Sequence, residues 1–137
     1  MIRHPVCSLF TAAVLTAFAA APATAAEPTG LEAAFRATIV STYPDGRTAR
    51  LWLHQDGSYT ARGRRGDLSS GRWTQKGEKL CMKQRRPLPV PFSFCTPMVE
   101  GGIGTTWAAT AVSGEPVKVR LEPGEDQVAL RGEAIGH

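Results

Sequence analysis

The chain has 137 residues, a formal net charge of +4 and three cysteines. That length allows a leader followed by one domain, and the small positive surplus excludes a general nucleic-acid binder.

Arg3 and His4 precede Val6 to Ala21, an apolar stretch of 16 residues, and Ala23-Thr24-Ala25 offers the small residues that signal peptidase accepts. Residues 1–25 therefore read as a secretory signal peptide, with the mature chain starting at Ala26 and only Arg3 lost from the charge balance. The apolar run ends too early for a comfortable membrane span, which needs about 20 apolar residues. Cys7 lacks the residues that precede a lipidated cysteine and leaves with the leader. The expectation is a periplasmic or secreted protein with no stable membrane anchor.

Residues 26–137 form one expected domain of 112 residues, able to bury roughly two thirds of its extended surface. Cys81 and Cys95 remain, and an even pair in an exported chain reads as a disulfide rather than two free thiols. Their loop of 15 residues, counted inclusively, corresponds to about 3 kcal/mol in the chain-entropy model. Charge is uneven along this domain. Arg47 to Arg86 holds eleven Lys or Arg against three acids, whereas Val99 to His137 holds three against six.

Leu31 to Phe35 offers at most one helical turn before β-branched Thr38, Ile39 and Val40. Phe35, Ala37, Ile39, Ser41 and Tyr43 then share a strand face, and Pro44-Asp45-Gly46 turns the chain. Ala49, Leu51 and Leu53 share one face of the next strand, with Arg50, Trp52 and His54 on the other, until Gln55-Asp56-Gly57 turns again. Ser58 to Arg62 returns with Tyr59 and Ala61 together, and the glycine-rich loop Arg62 to Asp67 leads to Ser69 to Gln75, with Gly71 and Trp73 on one face.

After Lys76-Gly77, Leu80 and Met82 alternate with Cys81 and Lys83; Pro87, Pro89 and Pro91 break pairing, and Phe92 to Thr96 resumes it. A strand with Trp107, a turn at Ser113 to Pro116 and a strand with Val117, Val119 and Leu121 inward complete the pattern; Gln127 to Arg131 is read as a possible ninth strand. The fold expected is all-β, an antiparallel up-and-down barrel or half-barrel of about eight strands carrying one disulfide. Closure is favoured over a sandwich because it removes open sheet edges.

The string Asp56-Gly57-Ser58-Tyr59-Thr60, then Ser70-Gly71-Arg72-Trp73, Gly77, Leu80-Cys81 and Cys95 resembles small exported bacterial domains of unknown function with a lipocalin-like character. The resemblance covers residues 38–112 and rests on an aspartate-glycine turn, a glycine-x-tryptophan strand and a leucine-cysteine pair. It implies a lipocalin-like barrel in an exported protein and names no ligand.

Candidate binding residues fall in two groups. Arg62, Arg64, Arg65, Arg72, Arg85 and Arg86, with Lys76, Lys79 and Lys83, suit an anionic envelope component or an acidic protein, because guanidinium groups hold carboxylates and phosphates bidentately; the competing reading is a solvated surface. Trp52, Tyr59, Trp73 and Trp107 would line an apolar pocket in a hollow barrel or fill a packed one, since eight strands enclose a space just wide enough for side chains. Trp52 stands apart, sharing a face with Arg50 and His54.

The segment Pro87-Leu88-Pro89-Val90-Pro91 stiffens the loop between the cysteines, which could serve as a preorganised recognition element. No cofactor or metal is expected: His54, His137, Met82 and Met98 share no ligand spacing. No Gly-x-Ser-x-Gly elbow occurs, and His54 has only Asp56 near it in sequence, so no catalytic residue is assigned. The expectation is a non-enzymatic binding protein that engages an anionic partner through its basic strands, with a protease or lysozyme inhibitor acting through the Cys81–Cys95 loop as the alternative. Oligomeric state is left open.

Overall fold

The computed structural model describes residues 2, 3, 5, 11–21 and 26–135. The expected cleavage site at Ala23-Thr24-Ala25, along with His4, Cys7 and His137, lies outside the described residues. Residues 11–21 carry no helix or strand and are exposed, and among the described residues no helix is long and apolar enough to cross a membrane.

The alternating segments form eight strands: β1 (Ala37–Thr42), β2 (Thr48–Leu53), β3 (Ser58–Arg62), β4 (Leu68–Lys76), β5 (Lys79–Arg86), β6 (Phe94–Pro97), β7 (Thr106–Thr110) and β8 (Pro116–Pro123). They make one antiparallel sheet in the order β6-β5-β4-β3-β2-β1-β8-β7. β1 pairs with β8, Ile39 opposite Leu121, which curls the sheet back on itself; β6 and β7 then come alongside without a ladder. The result is a nearly closed up-and-down barrel. Its one seam lies between two short edge strands, β6 of four residues and β7 of five.

Because every hairpin reverses the chain, the connections sort to two ends. Residues 43–47, 63–67, 87–93 and 111–115 gather at one end, the mouth; residues 54–57, 77–78 and 98–105 gather at the other, the base. A short helix, α1 (Gly30–Ala34), precedes β1 at the base, and its Ala33 and Ala34 are buried among Leu53, Leu80, Val99 and Leu121. Trp73 closes the same end: its ring lies 5.8 Å from that of Phe35, and its indole N–H donates to the His54 carbonyl at 2.8 Å.

The Cys81–Cys95 disulfide is present and joins residues directly opposite each other on β5 and β6. Leu80, Met82, Phe94 and Thr96 face the barrel interior, so the bridge lies on the outer face, as the strand alternation requires.

One segment departs from the expected pattern. Gln127–Arg131 is not a ninth strand but a second short helix, α2. Asp126 caps it, its Oδ1 accepting the backbone N–H groups of Val128 and Ala129 at 2.9 and 3.0 Å, and Gly132 ends it with φ 64°, a left-handed conformation that glycine adopts without Cβ strain. The segment runs across the outside of three successive strands. Thr38 on β1 donates to the Gly124 carbonyl, His54 after β2 bonds Asp126, and Arg62 on β3 bonds Glu133.

Candidate functional site

The inward positions change size along the barrel. Leu53, Tyr59, Leu80 and Leu121 fill the base and are buried, whereas Ser41, Ala49, Ala61, Ser69, Ala109 and Ala111 stand nearer the mouth. Small side chains on a barrel wall that cannot collapse leave space, because the strand spacing is fixed by the ladders. The space is a cavity of about 290 Å³, open at the mouth. That is roughly twice the volume of an apolar cavity able to take up benzene.

Its wall is mainly apolar, with Ile39, Leu51, Met82, Phe94, Trp107 and Val119 among the lining residues. Tyr59 sits low in this wall, opposite Leu53 and Gly71. Burial alone pushes its phenol above the ordinary value near 10, so the hydroxyl stays protonated through the neutral range. A phenol in that state offers one donor and an acceptor to a ligand in an otherwise apolar space. Val90 and Phe92 from the Cys81–Cys95 loop line the cavity near the mouth, and the loop is held by Gln84, whose carbonyl accepts from the Val90 N–H and whose Nε2 donates to the Leu88 carbonyl.

A clasp ties three of the four mouth connections together. Arg64 Nη2 lies 2.7 Å from Glu115 Oε2, Arg64 Nη1 lies 3.7 Å from Asp45 Oδ2, and the guanidinium stands 4.3 Å from the centre of the Tyr43 ring. The Arg64 guanidinium, followed by the Ser113 hydroxyl, holds the Glu115 carboxyl below the usual carboxylate range; Glu115 in turn raises the Arg64 pKa.

The expected site residues do not all converge. Tyr59 lines the cavity, and Trp107 lines it too. Trp52 does not: it lies on the outer face, buried beside α2, with its indole N–H donating to Thr38 Oγ1 at 2.8 Å. Trp73 serves the base. Among the arginines, Arg62 is paired with Glu133 at 2.6 Å, Arg64 belongs to the clasp, and Arg72 donates to the Asp56 carbonyl near the base. Arg65, Arg85 and Arg86 are exposed at the mouth end and form no ion pair among the described residues.

Sequence reasoning missed the partner of His54. Its Nε2 lies 2.9 Å from Asp126 Oδ2 and 3.4 Å from Thr60 Oγ1, so the imidazole joins the C-terminal segment to the barrel. Asp56, its neighbour in sequence, is instead held below the usual carboxylate range by the Ser58 hydroxyl and then by the Ser58 N–H. The cue was Asp126 placed ahead of Gln-Val-Ala-Leu-Arg-Gly, a capped helix signal hidden when the segment is read as a strand. Among the described residues no group of three His, Cys, Asp or Glu could hold a metal ion. Compared with known proteins, the chain matches no family model, no curated sequence and no solved structure.

Proposed function

We propose that the chain is an exported, non-enzymatic binding protein of the periplasm that takes the apolar part of a small amphipathic envelope component into its barrel. The observation that carries this reading is the mouth-opening cavity of about 290 Å³ with its apolar wall, since ligand sites are concave, mainly apolar and furnished with few polar groups. The Tyr59 hydroxyl orients the buried part, and the exposed arginines of the mouth attract an anionic end. The likeness to lipocalin-like exported domains fits the same reading.

Titration with the neutral fluorophore N-phenyl-1-naphthylamine tests it. Saturable emission with one probe per chain, accompanied by quenching of Trp107, is the expected result; no enhancement at accessible concentrations would overturn the assignment. A second reading, an inhibitor acting through the Cys81–Cys95 loop, draws support from Leu88, 67% exposed on that loop. It requires a stoichiometric complex with a protease or lysozyme that weakens on Leu88→Ala.

A further inference from the structure

The mouth combines two features beyond the apolar wall: exposed apolar side chains, of which Phe92 and Val112 also line the cavity rim, and a surplus of positive charge. Leu88 at 67%, Phe92 at 58% and Val112 at 67% exposure stand on connections from both sides of the β6–β7 seam. Exposed apolar side chains gathered at one end of a fold mark an interaction surface where singly scattered ones do not. Around them the charge is positive. Counting each mouth connection with two flanking strand residues on either side gives six arginines against three acids, and two of those acids, Asp45 and Glu115, are held by Arg64.

The base has the opposite sign. The same count there, taking residues 26–38 and 122–126 with the base connections, gives three basic residues against eight acids. The barrel is therefore an electrical dipole, positive at the mouth and negative at the base, and a surface of negative potential turns its mouth inward. Arg65, Arg85 and Arg86 are the exposed mouth arginines with no ion pair among the described residues, whereas Arg47, also exposed, lies 3.9 Å from Asp45.

We infer that the mouth docks reversibly on an anionic lipid bilayer, with Leu88, Phe92 and Val112 entering the headgroup boundary and Arg65, Arg85 and Arg86 contacting lipid phosphates. A bilayer is favoured over a protein receptor because it presents anionic phosphates directly above an apolar layer, the pairing that exposed apolar side chains among unpaired arginines would meet. Docking in this orientation places the cavity opening on the lipid, where an amphipathic molecule passes between bilayer and barrel without crossing water. The inference extends the cavity reading, yet the two can fail separately.

Sedimentation of the folded chain with phosphatidylcholine vesicles, with and without phosphatidylglycerol, tests it. Partition should be at least about tenfold stronger on the anionic vesicles and should weaken with added salt. Reversing Arg65, Arg85 and Arg86 to Glu should cost on the order of a hundredfold, and Leu88→Ser several-fold, with thermal melting unchanged. Reversal of Lys76, Lys79 and Lys83 to Glu, an equal change in net charge placed away from the mouth, should cost much less. Equal losses in the two triple variants, equal partition on both vesicles or partition on neither would each overturn the proposal; the last would point to a protein receptor. Ala109→Trp should block the neutral fluorophore and leave vesicle partition intact, separating a failure of docking from a failure of the cavity.

Discussion

Gly71 and Tyr59 face each other across β3 and β4, and each is fixed by what lies opposite. At Gly71 the register with β5 shifts by one residue, and a Cβ there would run into the Lys83 carbonyl oxygen, a backbone atom that cannot swing aside. Gly71→Ala should therefore destabilise the barrel by about 3 kcal/mol, the upper range for overpacking, read as a lower urea midpoint with an unchanged slope. The glycine-x-tryptophan pattern is legible in sequence, but the reason for the glycine is not, because it depends on which residues β5 brings alongside.

Tyr59 carries a pH consequence. Its folded-state pKa is raised, so the folded chain holds the phenolic proton more tightly than the unfolded chain. The contribution is intact below the ordinary value near 10 and is lost as pH rises from there through the elevated folded-state value. Urea unfolding at about pH 9 and about pH 11 should show a steeper alkaline loss for the parent than for Tyr59→Phe. Equal losses would mean that Tyr59 ionises as freely in the fold as in solution.

At the scale of elements, the Cys81–Cys95 bridge joins two strands and shapes the loop between them. That loop supplies Val90 and Phe92 to the cavity wall, so the double substitution Cys81→Ser/Cys95→Ser should cost about 3 kcal/mol for a closed loop of this length and also weaken fluorophore binding. Loss of stability with unchanged affinity would show that the wall does not depend on the loop.

The strands and turns were legible because period-two alternation and turn residues act locally. α2 was not. Gln-Val-Ala-Leu-Arg is short enough to suit either conformation, and what decides is the Asp126 cap and the outer surface of β1 to β3, formed by residues far away in sequence. The same gap hid what covers Trp52: expected in a pocket or a packed interior, it shares the outer face with Arg50 and His54 and is buried by a C-terminal segment that comes from far away in sequence.

For the whole molecule, the barrel followed from consecutive hairpins and the need to hide sheet edges, and the β1–β8 ladder provides the curl. Whether its interior was hollow depended on a comparison the alternation alone does not make, between small inward residues near the mouth and large ones at the base. The division of charge between the two ends likewise emerges only when alternate connections are gathered by topology, since along the chain the basic residues look like one central run.

The most direct measurement is fluorophore titration of the parent against Ala109→Trp, which fills the cavity from the mouth end of β7. The variant should fold with a comparable melting temperature and bind N-phenyl-1-naphthylamine at least about tenfold more weakly, because the volume is occupied. Equal affinity in a folded variant would place the fluorophore outside the barrel and contradict a function built on its interior.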